Sequence, residues 1–404
     1  TTVDLSANTG GTAVELLLNK ADLTFTGGSG NDIALFGSDS GGGYVNNDDS
    51  FDGRGGYDIL GFGGDDLVGL DAATVKNFEL FALFNDASGA DFKFENADFN
   101  VDIALIADWN AELQLEDFDG HSLYVLESQN SGTSAISFDD TDVGTISLGL
   151  PIELSTYTAL GLDFLDELGL DAIIPLLTTP SPVPFVVTLD EVDTTDLDQI
   201  NFEVGGGLLA GVNTQLQVDD LVLSGSVGTI AGSGSGSLVL VDITETNVGD
   251  DVDGLTFDLT ALTGGFNGAG LSVDLAGGPQ TFLIGALGTV YGLANYDFDG
   301  GGNDDASEIA LGAADLAQDR VDFTDPGFGN LVIRDFAGAA GLLTGQQDIL
   351  DFTALGVNEA TDLNLDYTTV AGSLIITSDL FDGSVLLVGV TSATFSNENL
   401  DLVA

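Results

Sequence analysis

Apolar and polar residues alternate in short runs along much of the chain. FELFALF (78–84), DFKFENADF (91–99), VDIALIA (101–107), AELQLEDF (111–118) and SLYVLES (122–128) succeed one another with Asn, Asp or Gly between them. A period of two predicts strands with one face turned inward. Evenly spaced short strands predict a sandwich, a barrel or a solenoid. The rung-like recurrence favours a β-solenoid. Phe is abundant, with 25 copies, and falls at alternating positions, as core residues do. The opening TTVDLSA reads as a strand, and TAVELLLNKADL (12–23) predicts a short helix.

A second pattern runs from Gly27 to Gly69. In GGSGNDIALFG (27–37), glycines permit turns with φ > 0, and Asp32 stands where the turn ends. Ile33 and Leu35 then alternate with Ala34, as in a strand. VNNDDSFDG (45–53), GRGGYD (53–58) and GFGGDDLVG (61–69) continue the theme. Turn carbonyls and carboxylates are hard oxygen donors suited to Ca²⁺. The candidate ligands are Gly28, Gly30, Asp32, Asp48, Asp49, Asp52, Asp58, Asp65 and Asp66. Glycine-rich hairpin turns with solvated carboxylates are the alternative reading.

DFDGGGNDDASE (297–308) has the order of a twelve-residue calcium loop. Asp297, Asp299, Asn303, Asp305 and Glu308 occupy positions 1, 3, 7, 9 and 12, with Gly302 at the sharp turn. Gly301 at position 5 and Asp304 at position 8 depart from the pattern. IALGAADLAQD (309–319) predicts an exiting helix, and no entering helix precedes the loop. DFDGHS (117–122) repeats the D-x-D-G start through Asp117 and Asp119.

Four segments follow. Residues 1–150 hold the glycine/aspartate region and a strand ladder. Residues 151–184 hold a helix (159–174) and a linker, PLLTTPSPVP, whose prolines break regular structure. Residues 185–291 form a β region rich in Gly, Ser and Thr. Residues 292–404 hold the calcium loop and a C-terminal β region.

Charge narrows the function. Six Lys plus Arg face 66 Asp plus Glu among 404 residues, a formal net charge of −60. Asp outnumbers Glu 52 to 14, and Asp favours turns and metal sites over helices. With 44% hydrophobic residues and a mean hydropathy of +0.27, this is no disordered acidic tail. Halophilic solvation is the bland reading of the charge. Six scattered cations give no basic patch for nucleic acid or an anionic membrane. The absence of cysteine excludes disulfides and thiolate zinc sites. No apolar run reaches the ~20 residues of a membrane helix, and no Sec-type signal opens the sequence. His121 is the only histidine, which leaves no zinc protease motif and little basis for a Ser-His-Asp site. The chain is not expected to be an enzyme.

The glycine–Asp–apolar order resembles the nonapeptide repeat of RTX proteins, best at Gly28, Gly30 and Asp32. Asp58 with Gly53 and Gly56, and Asp66 with Gly61 and Gly64, resemble it with a displaced glycine. DLVGLDAATVKNFELFALF (66–84) is similar to a stretch of surface-layer and large RTX proteins, through Val75, Asn77, Phe78 and Glu79. VIRDFAGAAGLLTGQQDILDFTALGV (332–357) resembles the segment after RTX repeats in type I secreted proteins, through Ile333, Asp335, Phe336, Asp348, Asp351, Phe352 and Leu355. GSVLLVGVTSATFSNENLDLVA (383–404) resembles their terminal strand and secretion signal. The resemblance implies a mainly β protein of β-roll or β-solenoid-like and β-sandwich-like units with few short helices. It implies a secreted, calcium-dependent structural protein that assembles with itself into a surface layer or extracellular filament. Cell-surface polysaccharide is a further implied partner. An RTX-type hydrolase working through carboxylates, or an adhesin or ligand-binding module, is the alternative.

Overall fold

The computed structural model describes residues 1–16, 22–36, 48–63, 70–83, 92–105, 112–126, 135–149, 177, 181, 183–194, 197–223, 227–245, 256–264, 266–267, 281–284, 293–298, 306–310, 318–323, 329–334, 336–338, 347–367, 372–381 and 383–402. The chain is mainly β, and among the described residues helical structure is confined to segments of under seven residues, such as the 3-10 turn Asn96–Asp98. Within each unit, strands from alternate positions along the chain share a sheet, so most strands pair in parallel with the one two places along, the exceptions lying near the C-terminus. That is a coil built by stacking. The helix at 159–174 and most of the proline segment lie outside the described residues.

The chain divides into two units, Thr1–Asp193 with Gly205–Thr214, and Thr194–Val204 with Gln215–Ala404. In the first unit, one sheet stacks Thr12–Leu16, Asp32–Phe36, Ile59–Phe62, Leu80–Leu83, Asp102–Leu105 and Leu123–Val125. Thr2–Asp4, Thr24–Thr26, Ser50–Asp52 and Val75–Lys76 form a second sheet. Phe92–Glu95, Leu113–Glu116 and Ala135–Asp139 stack in a third.

Burial follows the sequence pattern. FKFE at 92–95 alternates buried and exposed, as a half-solvated strand must. DIALF, ILGF and LFAL are buried throughout, which is why they read as continuous apolar runs. Rings fill the space between sheets: Phe36 lies 4.9 Å from Phe51, and Phe81 lies 5.9 Å from Phe94.

The second unit continues the same economy. Thr229–Gly234, Thr256–Leu262, Thr281–Ile284, Ala306–Ala310 and Gly329–Arg334 stack in parallel. Leu293–Phe298, Gln318–Phe323, Ile349–Asp351 and Leu400–Asp401 form another parallel set. Gly383–Leu387 joins Gly329–Arg334 in parallel, then Leu374–Ser378 and Leu363–Tyr367 add antiparallel.

Two expectations are corrected. Thr12–Leu16 is a strand, registered from Thr12↔Asp32 to Leu16↔Phe36, where a helix was expected. Pairing to a buried neighbour overrides the helical pattern, and β-branched Thr12 and Val14 favour it. Ile309 and Ala310 likewise end a strand and do not begin an exiting helix.

Candidate functional site

The first unit's glycine turns stack on one another. Gly27–Asp32 and Gly53–Asp58 each run six residues from the end of one strand into the next. Gly27 N–H donates to Asp52 O at 2.8 Å, and Gly53 N–H to Lys76 O at 3.1 Å. A Cβ on Gly53 would stand 2.1 Å from Asn77 O, so only glycine lets these backbones approach. Gly56, at φ +137°, takes a conformation that side chains resist, with Gly30 O 2.5 Å from where its Cβ would be.

Each turn ends in an acid set directly before an apolar strand. Ile33, Ile59 and Leu80 are aligned, so Asp32, Asp58 and Glu79 stand in one column. The sequence spacings are 26 and 21 residues. Backbone amides link the column. Asp32 N–H donates to Asp58 Oδ1 at 2.7 Å, and Asp58 N–H donates to Glu79 Oε2 at 2.6 Å. Asp32 Oδ2 closes its own turn by accepting Gly28 N–H at 2.6 Å. The second turn differs, because Arg54 N–H goes to Asp52 Oδ1 at 3.2 Å. Arg54 is itself left-handed, at φ 71°.

Asp32 and Asp58 are both fully buried. Asp32 Oδ1 and Asp58 Oδ2 have no hydrogen-bond partner. A buried carboxylate without its full complement of donors resists ionisation. Burial pushes the Asp58 carboxyl up to about 7; the charges of Glu79, Asp32 and Asp52 add to this, against the Asp32 amide, which lowers it. Burial also raises Glu79, opposed by the Asp58 amide.

The other expected ligands separate into distinct places. Asp48 is exposed, and Asp49 is buried with Oδ1 accepting Leu23 N–H at 2.8 Å. Asp52 accepts Asn77 Nδ2 at 2.6 Å and lies 4.0 Å from Lys76 Nζ. Asp117 is exposed and left-handed at φ 53°, and Asp119 Oδ1 accepts the amides of Asp142 and Val143, both at 2.9 Å. These two belong to another turn. Asp297 lies in Leu293–Phe298 and Glu308 in Ala306–Ala310, strands of different sheets. Asp65, Asp66, Asp299, Asn303 and Asp305 lie outside the described residues. His121 Nδ1 sits 3.3 Å from Asp102 Oδ1, which also accepts Ser122 N–H.

Glu79 is the one member of the column that is not among the expected ligands. Its signal was an acid followed by a buried apolar run, shared by Asp32-IALF, Asp58-ILGF and Glu79-LFAL.

The donor set suits a hard cation. Two buried carboxylate oxygens lack partners, and one of them, Asp58 Oδ2, lies with Asn77 O against Gly53. Among the described residues no group of three His, Cys, Asp or Glu side chains converges on one point.

Stacked parallel coils carrying an internal acidic column place the chain in the class of β-solenoid proteins. Comparison with family models, curated proteins and solved structures returns no match. Among the described residues no helix is long and apolar enough to cross a membrane.

Proposed function

We propose that the chain is a secreted, calcium-dependent structural solenoid that assembles with itself outside the cell, as a surface layer or filament. One observation carries the reading: Asp32 and Asp58, aligned in adjacent coils, each bury a carboxylate oxygen without a hydrogen-bond partner among the described residues. Uncompensated buried carboxylates cost stability. Calcium would supply the positive charge that the two buried carboxylates lack. Asp32 Oδ1 and Asp58 Oδ2 would hold it, together with turn carbonyls. A formal charge of −60 adds repulsion that divalent cations relieve.

The assembly part rests on the chemistry of the chain. The chain is 44% hydrophobic despite a formal charge of −60, and apolar surface beyond what the core takes up would be covered by contacts with further copies. Metal analysis of the purified protein, with electron microscopy in calcium and after its removal, tests the reading. Bound calcium and ordered arrays that disperse on removal are expected. Monodisperse particles in both conditions would favour an adhesin or enzyme. Protein that binds no calcium even when calcium is supplied would overturn the reading, and the column would then be neutralised by protons.

A further inference from the structure

We infer that Glu79 is the positioning residue of the cation site, the acid that fixes Asp58 so that its Oδ2 stays inside. The inference rests on the calcium reading above. It stands on three contacts to one residue. Asp58 N–H donates to Glu79 Oε2 at 2.6 Å. Glu79 N–H and Leu80 N–H both donate to Asp58 O, at 3.1 and 3.3 Å. Glu79 thus grips the amide of Asp58 with its side chain and the carbonyl with its backbone.

The grip passes inward. Asp58 uses Oδ1 to hold the Asp32 amide, and Asp32 uses Oδ2 to hold the Gly28 amide. The oxygens left over are Asp58 Oδ2 and Asp32 Oδ1, the two without partners. The chain of amide bonds therefore decides which oxygen of each carboxylate is spare and where it lies.

The identity of the third acid follows from its turn. Gly53 stacks on Asn77, and Asp58 is aligned with Glu79. The second turn covers that distance in six residues and the third in Asn77-Phe78-Glu79, with Asn77 left-handed at φ 58°. The shorter turn is matched by a side chain one methylene longer than Asp. Glu79 is half-buried, so it can anchor the column without being enclosed by it.

The test uses the full chain, stripped of metal, titrated with calcium by calorimetry and counted by metal analysis. Glu79→Ala should weaken one calcium site by about tenfold or more, the loss usual when an outer partner of a ligand is removed. Glu79→Gln keeps an oxygen that can accept the Asp58 amide, and should bind near wild-type affinity. Equal loss in both variants would overturn the inference, since Glu79 would then act through its charge or as a ligand. Unchanged affinity in Glu79→Ala, with only a lower melting midpoint of the metal-free form, would overturn it in favour of a purely structural role. A Asp32→Asn/Asp58→Asn double variant that binds as much calcium as wild type would remove the calcium site itself, a failure distinct from the other two.

Discussion

Asp32 donates its amide to the carboxylate of Asp58, 26 residues further on, across 2.7 Å. The bond joins adjacent coils, and one oxygen of Asp58 remains unpartnered beyond it. This arrangement separates the two states of the site. In metal-free protein near neutral pH, Asp58→Asn replaces a carboxylate that resists ionisation with a neutral isostere. The variant should unfold at an equal or higher denaturant concentration than wild type. In calcium the order should reverse. A filled site adds about 2.7 kcal/mol at a hundred times Kd, and Asp58→Asn should forgo that gain. Urea titrations with and without calcium read both comparisons.

The same carboxyl sets a pH dependence with a definite sign. Its folded value lies near 7, above the 3.8 of an ordinary aspartate. The folded state therefore holds a proton that the unfolded chain releases. This contribution is fully present below the unfolded value and is lost as pH rises through about 7. Metal-free protein should lose stability from pH 4 to 7, with a plateau above. Asp58→Asn should lose less over that window, which separates this group from general charge repulsion. Calcium favours the ionised form and should flatten the wild-type slope. Denaturation midpoints across pH, in both proteins, decide the point.

Much of this architecture was legible along the chain. The alternation in FKFE and the apolar run in IALF state how many faces of each strand are buried, because side chains alternate across a strand. Pairing partners were less visible. Asp58 and Glu79 are 21 residues apart, Asp32 and Asp58 are 26, and no fixed repeat reveals that they align. The repeat resemblance covers Asp32, Asp58 and Asp66 but not Glu79, which the coil sets beside Asp58 because turn lengths differ between rungs. Thr12–Leu16 was misread for a related reason: its helical pattern is local, and the strand that pairs with it is not. Tyr296-Asp297-Phe298, Val321-Asp322-Phe323 and Leu350-Asp351-Phe352 are aligned in register. That repeat was in plain view, but its irregular spacing hid it.

Two glycines of one turn should respond oppositely to the same change. A Cβ on Gly53 would meet Asn77 O at 2.1 Å and Asp58 Oδ2 at 2.8 Å, and the first of these is backbone. Gly53→Ala must push the coils apart and should be among the costly substitutions, at roughly 3 kcal/mol or more. Gly55 has nothing within 4 Å of its Cβ position, and its φ lies outside the left-handed range. Gly55→Ala should be neutral or stabilising, by about 0.4–1 kcal/mol, through the lower entropy of the unfolded chain. A Gly53→Ala variant as stable as wild type would mean that the coils are not stacked so closely.

The second unit offers a test independent of the first unit's acidic column. Phe352 is fully buried between two rings, stacked on Phe323 at 4.5 Å and 8° and on Phe381 at 5.6 Å and 6°. Phe323 and Phe352 follow the aligned pair Asp322↔Asp351, so the parallel register delivers one stack. Phe381 lies between Leu374–Ser378 and Gly383–Leu387, and so ties the antiparallel strands to the coil. Truncation to Ala would leave a cavity lined by two rings, at a cost of about 3–5 kcal/mol. Phe352→Leu keeps most of the volume and should cost less. Both losses should be the same in calcium and without it, because no carboxylate of the first unit's column is involved. Thermal denaturation of the two variants in each condition measures this, and a calcium-dependent difference would tie the C-terminal core to metal binding.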